Sequence, residues 1–195
     1  MIMTASKTDY RNIFYPPGGI LIWIIIFLEL ITFSLGLLAM VYYGKAESSL
    51  FHASSLTLNL NIAIVNTVVL LSSSYFMATA VQFTKEENTK KAADYTGLTI
   101  IFGLLFVCLK TFDYYLKIQA GEFLTTNTFY AFFWMLTAFH LIHVLIGISI
   151  LIYFYIAMKR GKEALQLTDM MAGAAFWHMC DLIWLLLFPV IYLIF

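Results

Sequence analysis

The sequence predicts an all-α integral membrane protein: a bundle of five transmembrane helices, N-terminus cytoplasmic and C-terminus outside. Three observations lead there. The chain is 62% hydrophobic and only 11% charged, against about 45–50% apolar and roughly 25% charged in a soluble domain. Five apolar runs each reach the ~20 residues that a helix needs to cross the hydrocarbon. Basic residues crowd one side of those runs. The composition excludes a water-soluble globular domain and a disordered chain. Eleven Lys and Arg balance eleven Asp and Glu, so net charge points to no nucleic acid.

The runs cover about 20–43, 58–83, 95–117, 128–158 and 171–195. They are apolar on every side, whereas strands of an outer-membrane barrel alternate in polarity. Without water to satisfy backbone groups, such runs must be helical. The first follows Tyr15-Pro16-Pro17-Gly18-Gly19, and proline suits a helix start because its missing N–H costs nothing there. This run is too long for the core of a signal peptide and lacks a small-residue cleavage site, so it reads as a retained helix. No repeat and no linker divides the chain, and residues 1–195 read as one membrane domain.

Orientation follows from the basic residues. Lys7, Arg11, Lys85, Lys90, Lys91, Lys159, Arg160 and Lys162 fall on one side, and Lys45 and Lys117 on the other. Basic residues favour the cytoplasm. Cys108 and Cys180 lie inside spans and read as small apolar packing residues.

Connections this short cannot build a soluble active site, so the informative residues are the ionisable ones within the spans. Glu29 sits near mid-membrane by helical rise. An unpaired carboxylate there costs several kcal/mol or more, so it is either protonated or paired. Proton handling, a lipid head group and a structural hydrogen bond all fit it. His140 and His143 share one face of the fourth helix, and His178 and Asp181 one face of the fifth. Groups at similar depth on three helices are expected to face one another as a buried polar network.

Two facing imidazoles can hold a haem. Three intramembrane histidines leave one over, however, and Asp181 suits an orienting role, so no metal site is assigned. His52, in the first connection, reads as solvated. Lys110, Asp113 and Lys117 form an i,i+3 and i,i+4 series near the end of the third helix. They read as an interface anchor with snorkelling lysines. Asn59, Asn61, Asn66 and Ser72-Ser73-Ser74 in the second run read as close-packing positions. No phosphate loop, His-Glu-x-x-His or Gly-x-Ser-x-Gly is present, so no catalytic residue is assigned.

Two motifs carry a resemblance. Trp177-His178-x-x-Asp181-x-x-Trp184, followed by Phe188 and Tyr192, is similar to the Tyr-Trp-His-Phe-Val-Asp-x-x-Trp ending of haem-copper oxidase subunit III, the cytochrome c oxidase subunit III family. Thr137-Ala138-Phe139-His140-x-x-His143-Val144-x-x-Gly147 resembles that family's Thr-Gly-x-His-x-x-His-Val-x-x-Gly. Glu29 falls where the family has a carbodiimide-reactive intramembrane Glu. With five spans, the chain looks like the short form. Ala138 and Met171 depart from common family residues.

The resemblance implies a non-catalytic accessory subunit of a dioxygen-reducing, proton-pumping terminal oxidase, in the bacterial cytoplasmic (inner) membrane. It implies packing against subunits I and II, stabilisation of subunit I and support of its proton uptake, and it leaves membership of a larger respiratory assembly open. It also implies bound phospholipid, with haems and copper in the partners and none in this chain. Trp177 and Trp184 would serve subunit or lipid packing. Lys110-Thr-Phe-Asp113-Tyr114 resembles the branch associated with nitric oxide reductase, with Asp for the usual Glu, and that branch is the alternative. A free-standing proton or ion carrier and a haem-carrying cytochrome are the readings from other classes.

Overall fold

The computed structural model describes residues 16–160 and 166–195. Its elements are α1 (Ile20–Ala46), α2 (Ser48–Ser55), α3 (Leu60–Lys85), α4 (Thr89–Gln119), α5 (Thr128–Lys159) and α6 (Leu167–Tyr192). All but α2 are long and apolar enough to cross a membrane. Lys7, Arg11 and Lys162, which enter the orientation argument, lie outside the described residues.

Polar residues set where the helices begin. Asn59, Asn88 and Asn127 stand at the N-caps of α3, α4 and α5, and each side chain accepts a hydrogen bond from a first-turn N–H. A cap of this kind satisfies one of the donors that a helix start leaves unpaired. Asn59 is thus a cap rather than a packing residue, and Asn88 starts α4 six residues before the apolar run does. At α6, Asp169 Oδ2 accepts from the Gln166 N–H at 3.0 Å. Asn127 also donates to Ser54 Oγ at 3.0 Å, tying α2 to α5. Asn127→Ala is expected to lower stability by about 1 kcal/mol, read as a shifted unfolding midpoint in detergent. An unshifted midpoint would show that the Asn127 cap adds nothing to stability.

Helix α6 sits at the centre, packed on α1, α3 and α5, while α4 bridges α3 and α5. Small residues let large ones in. A Cβ on Gly103 of α4 would lie 2.8 Å from the Trp177 ring, and one on Gly147 of α5 would lie 2.9 Å from it. Trp177 therefore enters between two bare backbones and is wholly buried. Close approach through small residues is how helices gain dispersion contact where lipid removes the hydrophobic drive. The outer surface is apolar, with Leu21, Leu35 and Leu38 of α1 all exposed. That surface suits acyl chains and would be a liability in water.

Candidate functional site

The five ionisable residues expected to form one network are divided in the structure. Glu29, nine residues into α1, lies beside His143 of α5, with Oε2 3.2 Å from Nε2. That oxygen accepts no hydrogen bond, so the contact is one of proximity more than of alignment. His143 Nδ1 sits 2.9 Å from the Phe139 carbonyl one turn back, which orients the ring.

The second group is His178 with Asp181, one turn apart on α6. His178 Nδ1 lies 3.4 Å from Asp181 Oδ2 and 2.8 Å from Ser74 Oγ of α3. Asp181 is 4% exposed. Among the described residues no hydrogen bond joins this group to the Glu29–His143 pair.

His140 belongs to neither. Both its ring nitrogens lack a hydrogen-bond partner. The ring stacks on Trp184 at 5.6 Å and 26°, and the edges of Phe33 and Phe106 close around it. Spacing i,i+3 leaves two side chains about 60° apart around a 3.6-residue helix. That difference turns His143 toward α1 and His140 toward α6. Trp177 and Trp184, read from sequence as contacts to another subunit or lipid, both lie inside the bundle. The glycines of α4 and α5 hold the first, and the second donates its indole N–H to Thr67 Oγ1 at 2.9 Å.

The Lys110 series overturns the interface-anchor expectation. Lys110 is 1% exposed and Asp113 2%. Lys110 Nζ donates to Asp113 Oδ2 at 2.8 Å and to the Tyr192 hydroxyl at 3.1 Å. The rings of Phe133, Tyr114, Trp184 and Tyr192 surround the ammonium at 4.8–5.7 Å, within the range of cation–π attraction. Lys117 also turns inward, to the Thr57 carbonyl at 2.7 Å and Glu122 Oε2 at 2.8 Å.

Snorkelling fails because Lys110 lies on the buried stripe of α4, and the outer face of this turn is apolar, with Phe112 and Tyr115 at 50% and 56% exposure. The signal was present in the sequence. Residues Thr96, Thr99, Gly103, Phe106, Lys110, Asp113 and Lys117 recur every three or four positions and form the buried stripe of α4. Glu122, in the loop after α4, is held below the usual carboxylate range. Burial alone would raise it, and the hydrogen bond and charge of Lys117 outweigh that effect.

Among the described residues no three His, Cys, Asp or Glu side chains converge as a metal site. The geometry instead offers two acid–imidazole pairs within the apolar span. Such a pair can shift a proton between its members with no change in net charge, the form of proton handling that a low dielectric tolerates best. Within the Ser72-Ser73-Ser74 run, which reads as close-packing positions, only the packing of α3 on α6 singles out Ser74 as the partner of His178.

A family model for cytochrome c oxidase subunit III matches residues 19–194. Over 136 residues the chain is 32% identical to "Probable cytochrome c oxidase subunit 3" of Rickettsia bellii (strain RML369-C), covering 68% of this chain and 48% of that protein. It thus spans about half the length of the Rickettsia relatives it matches. It is 29% identical over 167 residues to the protein of the same name from Mycobacterium leprae (strain TN), covering 85% and 82% of the two chains. It is 28% identical over 193 residues to "Cytochrome bo(3) ubiquinol oxidase subunit 3" of Buchnera aphidicola subsp. Acyrthosiphon pisum (strain APS), covering 98% and 94%. With the family model matching residues 19–194 and five helices long and apolar enough to cross a membrane, the chain belongs to the cytochrome c oxidase subunit III family.

Proposed function

We propose that this chain is a non-catalytic accessory subunit of a haem-copper terminal oxidase, in the bacterial cytoplasmic membrane. There it stabilises the catalytic subunit I and supports its proton uptake, within a complex that reduces dioxygen and pumps protons. The observation that carries this reading is the family match over residues 19–194. Subunits I and II, which hold the haems and copper, are its partners, and membrane lipid covers its apolar outer face.

The N-terminus lies in the cytoplasm, because the basic residues cluster on that side. Glu29 with His143, and His178 with Asp181, are the internal polar pairs that proton-linked behaviour would use. All the relatives named above are oxidase subunits, which favours a dioxygen system over a nitric oxide reductase. They include both cytochrome c and ubiquinol oxidases, so the electron donor is read from the partners.

Tagged purification in mild detergent tests the proposal. Haem absorption bands and a large polytopic partner are expected to accompany the chain, and mass spectrometry of that partner identifies the complex. A colourless chain purifying alone, from cells that express the whole operon, would refute it. Glu29→Ala should leave the haem spectrum unchanged while the complex loosens or inactivates faster during turnover. A lost haem band in an intact complex would assign Glu29 a different role.

A further inference from the structure

A groove of about 510 Å³ runs between α1, α3 and α6. Trp23 and Phe27 of α1, Ala78 of α3, and Met171 and Met179 of α6 line it, together with His178. This size is typical of small-molecule sites. Phe27 and Leu182 at the rim are exposed, so the groove opens sideways into lipid.

One polar feature interrupts it. The His178 side chain is 39% exposed. Its Nδ1 is engaged by Ser74 and Asp181, while its Nε2 makes no hydrogen bond among the described residues. Eleven residues into α6, this ring is about 17 Å from the helix start by helical rise. It therefore lies near the middle of a hydrocarbon layer roughly 30 Å thick. A hydrogen-bonding nitrogen facing apolar space at that depth lacks the water that would satisfy it.

The chemistry of the partner follows. His178 Nδ1 faces two oxygens, Ser74 Oγ and Asp181 Oδ2, and both can accept, so the tautomer with its proton on Nδ1 satisfies the pair. Nε2 then presents a lone pair, and the occupant must donate. A phospholipid has its donors at the interface, as does a simple long-chain alcohol. A hydroxyl at mid-membrane depth belongs to a molecule that dissolves head and tail alike in the hydrocarbon. The aromatic rings and thioethers of the walls suit a flat ring.

We infer that the groove binds a membrane-dissolved phenol or hydroquinone with an apolar tail, its hydroxyl donating to His178 Nε2. Trp23 serves as a fixed wall, since its indole N–H donates to the Pro17 carbonyl at 3.0 Å. Asp181 and Ser74 are positioning residues that hold the ring's proton on the far nitrogen.

The test uses the full chain in phosphatidylcholine nanodiscs, without oxygen, and the purified complex beside it. The probe is a prenylated hydroquinone with a photoreactive diazirine on its tail. Labelling should fall on peptides containing Trp23 and Phe27 or Met171 to Leu182. Unlabelled hydroquinone should compete about tenfold better than its dimethyl ether, the worth of one buried hydrogen bond. In His178→Phe the two competitors should become equal, and Ala78→Leu should weaken both. In the unaltered chain, the ¹⁵N resonance of His178 Nε2 should move on adding hydroquinone and stay put with the ether, a readout that needs no variant to fold.

Equal competition by the two compounds, with no ¹⁵N shift, would overturn the inference and leave an ordinary acyl-chain groove. Labelling that vanishes in the complex would mean that a partner helix fills it. Labelling that appears only after removal of residues 1–15 would mean that the chain's own N-terminal segment does. The nanodisc outcomes do not depend on the accessory role, which the purification experiment tests separately.

Discussion

Asp113→Ala is expected to lower the stability of the bundle by about 3–5 kcal/mol, the usual cost of leaving a buried charge without its partner. Lys110 has no route to water: its head lies among four aromatic rings and its remaining contact is the Tyr192 hydroxyl. The rings attract the ammonium, at roughly 0.5–2 kcal/mol each, but they do not replace a carboxylate at 2.8 Å. Equilibrium unfolding in mixed micelles reads the loss. The double variant Lys110→Met with Asp113→Leu should recover most of it, because an apolar pair of similar volume carries no charge to desolvate. A double variant as unstable as the single one would show that packing, not charge, holds α4 to α6.

Trp177→Ala should cost a comparable amount, about 3–5 kcal/mol, through the cavity left between α4, α5 and α6. The complementary change is smaller and more telling. Gly147→Ala puts a methyl 2.9 Å from the indole, and overpacking of that kind costs about 1–3 kcal/mol. Trp177→Phe in the Gly147→Ala background should restore part of the loss, since the smaller ring retreats from the new methyl. The coupling is measured as a double-mutant cycle on the unfolding midpoint, and strict additivity would mean that the ring and the glycine do not share the space.

The five spans were legible because length and apolarity suffice for a helix in lipid. Their beginnings were less so. The polar first turn of α4, Thr89 to Asp94, reads as loop by hydropathy, and only the Asn88 cap makes it helix. Helix α2, eight residues of mixed polarity, carries no hydropathy signal at all.

The site residues share faces where spacing put them. Which imidazole meets which acid was not legible, because that depends on how helices cross. His143 meets Glu29, whereas His140, one turn away, meets only rings. The Lys110 stripe failed for a different reason: charged residues near a helix end have two ways to avoid lipid, outward to water or inward to a partner. The choice is set by the aromatic positions of other helices, Phe133, Trp184 and Tyr192.

The Lys110–Asp113 pair also bears on biogenesis. Both charges lie on one turn of one helix, 2.8 Å apart. The Lys110 turn of α4 therefore enters the bilayer with its counter-charge already in place, as a locally neutral stretch. Tyr192, the ion pair's partner on α6, is synthesised some eighty residues later than Lys110. Had the carboxylate been carried by α6 instead, α4 would have waited in the translocon as a bare cation until the end of translation. The order in which the ribosome delivers the spans thus favours a local pair over a long-range one.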